Sequence, residues 1–185
     1  SFGLENLLSN QTTGSSSTHG ILKDMDNDGD IDVLVSYYVK GKVGWHENID
    51  GLGNFENFIE ISTEVKDAEF VYIGDIDGDG DLDALSASLN KDKIYWHENV
   101  GQNNFGNPQS ITNKATVNQP NSLASADVDG DLDLDIIVGS YNNGKFTWYE
   151  NMDGQGSFGS QQLAVDTNSM ALSVITGDID GDTDI

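Results

Sequence analysis

The residues in this chain that could do chemistry are aspartates, and they come in bursts. The run Asp24-Met25-Asp26-Asn27-Asp28-Gly29-Asp30-Ile31-Asp32 places carboxylates at positions 1, 3, 5, 7 and 9 of one loop. The pattern returns at Asp75, Asp77, Asp79, Asp81 and Asp83, then at Asp127, Asp129, Asp131, Asp133 and Asp135, and begins again at Asp178, Asp180 and Asp182. In a loop that coils on itself, the side chains at positions 1, 3, 5 and 9 converge on one point. Calcium, a hard cation taking roughly six to eight oxygens, suits such a cage, whereas magnesium demands a tighter octahedron and keeps its waters. Ca2+ is therefore the expected ion.

Position 7 is expected to offer its backbone carbonyl, with the side chains of Asp30, Asp81 and Asp133 turned outward. Gly29 and Gly80 at position 6 permit a sharp turn at positive φ. Leu132 and Thr183 stand there in the third and fourth loops, with Gly130 and Gly181 two residues earlier, so an altered turn and weaker binding are expected in loop three. Loop four reaches Ile185 before its last ligand.

The bland alternative is a set of solvated acidic turns, but five like charges within nine residues repel one another unless a cation sits among them. An EF-hand shares the opening of the motif, yet it requires a glutamate at position 12 and a helix on each side. Position 12 here is Val35, Ser86 and Val138, and the flanks read as strands.

Bulk properties agree with ligand supply. The 185 residues include 32 acidic and 8 basic ones, for a formal charge of −24, and every basic residue is Lys. With no guanidinium to grip phosphate, nucleic acid and anionic membranes are not expected partners. There is no Cys, which excludes disulfides and thiolate metal sites. No apolar run is long enough for membrane insertion. Ser1-Phe2-Gly3-Leu4 does not read as a signal peptide, and the chain is expected to be a piece of a longer protein.

The elements that must position the loops recur with them. Loop starts at Asp24, Asp75, Asp127 and Asp178 lie 51, 52 and 51 residues apart, which means stacked supersecondary units. Each loop is followed by Lys42, Lys93 or Lys145, and three residues later by Trp45, Trp96 or Trp148. The tryptophans open the segments Trp45-His46-Glu47-Asn48, Trp96-His97-Glu98-Asn99 and Trp148-Tyr149-Glu150-Asn151, and a glycine-rich turn then leads to Phe55, Phe105 or Phe158. Alternation such as Val43, Trp45, Glu47 marks strand faces. Each unit reads as four strands: one into the aspartate loop, one out of it, the Trp strand and the Phe strand. That is the signature of a β-propeller blade.

The expected fold is all-β, with three complete blades of four antiparallel strands at residues 18–62, 68–112 and 119–165. Residues 1–10 would be the last strand of a preceding blade, and 169–185 the start of the next. Such a set cannot close a ring alone, so the remaining blades of the same propeller are expected partners.

Aspartate loops between two strands at this period, with Phe2-Gly3, Phe105-Gly106 and Phe158-Gly159 near the unit ends, resemble FG-GAP repeats, and more closely the VCBS subgroup of secreted bacterial proteins. The resemblance implies a propeller, commonly of seven blades and like that of integrin alpha subunits, with calcium in the turn between the first two strands of a blade.

Other candidates read as structural. His46 and His97 share a position that Tyr149 fills in the third unit, which favours packing over a metal site. Glu47, Glu98 and Glu150 recur too regularly for a single catalytic event. Trp45, Trp96 and Trp148 could stack on sugars, but their apolar neighbours favour inter-blade core. The repeat-breaking His19, Tyr37, Tyr38, Tyr72 and Tyr141 have no nucleophile and base beside them in sequence.

The leading expectation is a non-catalytic, extracellular or cell-surface binding and adhesion module with structural calcium, its protein or glycan ligand unspecified. The alternatives are a lectin-like propeller and the propeller part of a secreted polysaccharide-degrading enzyme.

Overall fold

A computed structural model describes residues 17–56, 58–112 and 117–177. The expected strand at 1–10 and the fourth aspartate loop, with Asp178, Asp180 and Asp182, lie outside the described residues.

Among the described residues, twelve strands form three four-stranded antiparallel sheets, each a simple meander. The first holds β1 (Ser17–Lys23), β2 (Asp32–Tyr37), β3 (Lys42–His46) and β4 (Ile59–Ser62). The second holds β5 (Ala68–Gly74), β6 (Asp83–Ser88), β7 (Lys93–His97) and β8 (Gln109–Ser110). The third holds β9 (Pro120–Ala126), β10 (Asp135–Ser140), β11 (Lys145–Tyr149) and β12 (Gln162–Asp166). These are propeller blades, and the fold is all-β, with one short 3-10 turn at Leu89–Lys91.

The middle strands explain the sequence best. β6, Asp-Ala-Leu-Ser-Ala-Ser, is buried at every position, and β2 and β10 nearly so. Their small and apolar residues therefore face neighbours on both sides of the sheet, and the buried serines bring hydroxyls that can bond within it.

Register fixes the loops. Lys23 lies opposite Asp32, Gly74 opposite Asp83 and Ala126 opposite Asp135, so each aspartate hairpin closes at the same place. The tryptophans pair with Leu34, Leu85 and Ile137 of the middle strands.

One expectation about the fourth strand changes. Phe55, Phe105 and Phe158 make only single bridges, to Asn48, Asn99 and Asn151. The ladder resumes several residues later, at Ile59, Gln109 and Gln162. The Phe thus closes the turn, and in the second blade Pro108, which has no N–H to give a ladder, stands just before the strand.

The blades pack through the tryptophans. Trp45 is buried with Val71, Ile73 and Ala84 of the second blade, and Trp96 with Leu123, Ile136, Val138 and Tyr149 of the third. Phe158 meets the Trp96 ring edge-on, with centroids 6.2 Å apart, and a Cβ at Gly156 would collide with that ring. Trp148 is half-buried.

Several repeat-breaking residues sit at these seams. His19 stacks on Phe70 at 3.6 Å, the Tyr38 hydroxyl meets Asn90 at 2.6 Å, and the Tyr72 hydroxyl accepts from Ser125 at 3.2 Å. His46 and His97 are buried, His46 against the Glu56 carbonyl at 3.0 Å and His97 against the Ser86 hydroxyl at 2.9 Å. Burial pushes His97 down to about 4, so it is neutral at physiological pH.

Candidate metal centres

Each aspartate loop is shaped by its own carboxylates. In loop one, Asp24 Oδ2 accepts from the Gly29 amide at 3.0 Å, Asp26 from Asp28 at 3.3 Å, and Asp28 from Asp30 at 2.8 Å. Loop two repeats this: Asp75 Oδ2 accepts from Gly80 at 3.1 Å, Asp77 from Asp79 at 3.3 Å and Asp79 from Asp81 at 2.9 Å. These bonds wrap the backbone around the side-chain oxygens. The other oxygen of the first aspartate, Asp24 Oδ1 or Asp75 Oδ1, is buried with no hydrogen-bond partner.

Position 9 does something the sequence did not disclose. Asp32 is fully buried, one oxygen accepting from the Met25 amide and the other from the Asn48 amide, both at 2.8 Å. Asp83 binds Ile76 and Asn99 in the same way at 3.1 and 2.7 Å, and Asp135 binds Val128 and Asn151 at 2.9 Å each. This carboxylate staples the start of the loop to the end of the Trp strand. The Asn side chain adds a second brace, its amide donating to the position-8 carbonyls of Ile31, Leu82 and Leu134.

Loop three differs at its first residue. Asp127 Oδ1 accepts from Gly130 at 2.8 Å and Asp131 at 3.1 Å, and Oδ2 accepts from Leu132 at 3.0 Å. Both oxygens are thus engaged by backbone. The turn itself is less altered than expected, because positions 4 and 6 are left-handed in all three loops: Asn27 and Gly29 (φ 59° and 97°), Gly78 and Gly80 (71° and 96°), Gly130 and Leu132 (86° and 77°). Leu132 holds a conformation that suits glycine, with its side chain 88% exposed.

Side-chain oxygens within 4.8 Å of one another group Asp24, Asp26 and Asp32 in loop one, Asp75, Asp77 and Asp79 in loop two, and Asp127, Asp129 and Asp135 in loop three. Asp83 and Asp131 fall outside these groups, as do the position-7 residues Asp30, Asp81 and Asp133. Asp30 and Asp133 instead fill the space where a Cβ would stand at Gly51 and Gly154, and the Asp81 carboxylate lies 3.7 Å from the same point at Gly101. Those glycines, in the turn after the Trp strand, all have positive φ.

A further group joins Asp26 and Asp28 to Glu47, from the end of the Trp strand. Glu98 and Glu150 accept instead from Gln109 at 3.1 Å and Gln162 at 3.3 Å. Those amides lie opposite Trp96 and Trp148, and Ile59 lies opposite Trp45, so the first blade has no amide there to hold its glutamate. Aligning the fourth strands would have shown this in sequence.

The electrostatics describe sites short of positive charge. Burial raises Asp26, Asp77, Asp135 and Glu47, and neighbouring carboxylates raise them further. Burial pushes Asp83 up to about 6 against the pull of the Asn99 and Ile76 amides. A cation held among these oxygens would reverse that destabilisation. The all-oxygen donor set fits a hard divalent ion, and the partnerless Asp24 Oδ1 and Asp75 Oδ1 are the atoms that most need one. No described His joins any group.

Three overlapping matches to FG-GAP-like repeats, at residues 24–86, 75–138 and 127–185, run from the first aspartate loop to the end of the chain. The chain belongs to the FG-GAP-like repeat family. Each match begins at the first aspartate of one loop and, for the first two, ends in the middle strand of the next blade. No curated protein matches these FG-GAP-like repeats. Among solved structures, they are similar to a lectin from Agrocybe aegerita, described for its specific recognition of non-reducing terminal N-acetylglucosamine. The TM-score is 0.56 at 17% identity, over 80% of this chain and 39% of the lectin. The FG-GAP-like chain thus spans about two fifths of that lectin, and the likeness is one of fold.

Proposed function

We propose that the described aspartate loops hold calcium, and that the blades form a calcium-stabilised, non-catalytic binding or adhesion module working outside the cell. The observation that carries this reading is the buried, partnerless oxygen of Asp24 and of Asp75, set among carboxylates that repel one another. A hard cation relieves both costs at once. Extracellular modules can work with affinities as weak as about 10⁻⁴ to 10⁻³ M, since calcium there is plentiful. The calcium would be structural, since it lies in the β1–β2, β5–β6 and β9–β10 turns and its carboxylates also brace the Trp strands.

Binding to the native state alone stabilises it by mass action, about 3 kcal/mol per site at a hundredfold excess over Kd. Excess EGTA is therefore expected to lower the melting temperature by several degrees, and an unchanged melting curve would sink the calcium reading. A carbohydrate ligand is the second reading, favoured by the fold likeness to a lectin. A glycan array with calcium and with chelator separates the two: retention on a sugar supports the lectin reading, no retention supports protein adhesion, and depolymerised glycan would overturn the non-catalytic assignment.

A further inference from the structure

We propose that the cation loops of the second and third blades bind their ions cooperatively, coupled through the Asn151 side chain, while those of the first and second blades bind independently. This rests on the calcium reading above.

Asn151 is fully buried and joins the two loops directly. Its main-chain N–H donates to Asp135 Oδ1 at 2.9 Å, in the third blade's own loop. Its side-chain amide donates to the Ile76 carbonyl at 2.9 Å, across the seam, at position 2 of the second loop. The Ile76 N–H in turn donates to Asp83 Oδ2 at 3.1 Å. Three buried bonds therefore link the position-9 carboxylates of neighbouring blades. The linkage is backed by packing: Asn151 Oδ1 accepts from Gly156 at 3.0 Å, and Gly156 lies against the Trp96 ring.

An ion held by Asp127, Asp129 and Asp135 would share Asp135 with the two amides that already hold it, and so stiffen further the strand end that carries Asn151. Asn151 then pins the Ile76 carbonyl, so loop two has less to order when its own ion arrives. The same coupling acts in reverse, by linkage.

Among the described residues, the first seam has no such bond. The Asn99 amide donates to the Leu82 carbonyl at 3.3 Å and to Asn103 Oδ1 at 3.5 Å, both within its own blade. Asn103 stands two residues before the turn Phe, where the third blade has Gly156. A carbonyl side chain at that position captures the amide, and a glycine leaves it for the neighbour.

The test is a calcium titration of the 185-residue chain, followed by the NMR signals of the Gly29, Gly80 and Leu132 amides, one per loop. Asp129→Ala alters an exposed ligand of loop three, and Asp129→Asn serves as a second variant that keeps the side chain's shape. Either is expected to weaken calcium binding at Gly80 about fivefold, within the usual range of coupling between sites, and to leave Gly29 unchanged. Asp26→Ala in loop one is expected to leave Gly80 unchanged. An unmoved Gly80 midpoint in the Asp129 variants, or an equal shift from Asp26→Ala, overturns the coupling while the calcium reading stands. Amides that ignore calcium up to about 10 mM, beyond the weakest extracellular sites, overturn both.

Discussion

The aspartate loop between β5 and β6 and the one between β9 and β10 share five carboxylates, a buried position-9 staple and left-handed residues at positions 4 and 6. They differ in how they use their first aspartate. Asp75 gives one oxygen to a single amide and leaves the other buried and bare, whereas Asp127 gives its oxygens to three amides. Amides and cations compete for the same lone pairs. Loop three therefore satisfies its first aspartate with internal bonds, whereas loop two leaves one oxygen of its own for what it binds.

The largest expected difference is in chelator. Asp127→Ala loses three backbone bonds and should cost about 3 kcal/mol in urea unfolding, while Asp75→Ala loses one and should cost about 1 kcal/mol. Equal losses would erase the distinction between the loops.

The pH response sharpens it further. A carboxyl whose folded pKa is raised makes the protein less stable as pH climbs from the unfolded value toward the folded one, since the folded chain holds the proton more tightly. For Asp83 that window runs from about 4 to about 6. In thermal melts with EGTA across this window, Asp83→Asn should remove more of the downward slope than Asp135→Asn. A larger change from the Asp135 variant would reverse the ranking of the two loops.

The smallest effect is expected at Leu132. Glycine there would relieve a left-handed leucine that buries little, so Leu132→Gly should raise stability by about 1 kcal/mol in urea. A loss would mean that the third loop's backbone is not strained.

The sequence made the aspartate loops, the repeat and the strand order legible because they are local: residues a few positions apart shape a hairpin, and strand alternation is read in place. The braces were hidden because they are not. Asn48 reaches the Asp32 carboxylate across 16 residues, and Asn151 reaches Ile76 across 75. The distinct role of Asp127 was hidden for another reason, since nothing in Gly130-Asp131-Leu132 declares which oxygen each amide will take. Trp45 and Trp96, by contrast, proved to be seam residues as their apolar neighbours implied.

The position-9 aspartate holds a last consequence. Its two oxygens close the hairpin against the Trp strand using main-chain donors that any residue but proline provides. Under mutational drift, a repeat could therefore shed the carboxylates at positions 1, 3 and 5, lose its ion and persist as a blade, whereas loss of the ninth would unpick the blade itself. A degenerate repeat in a longer relative should be recognised by that one surviving aspartate.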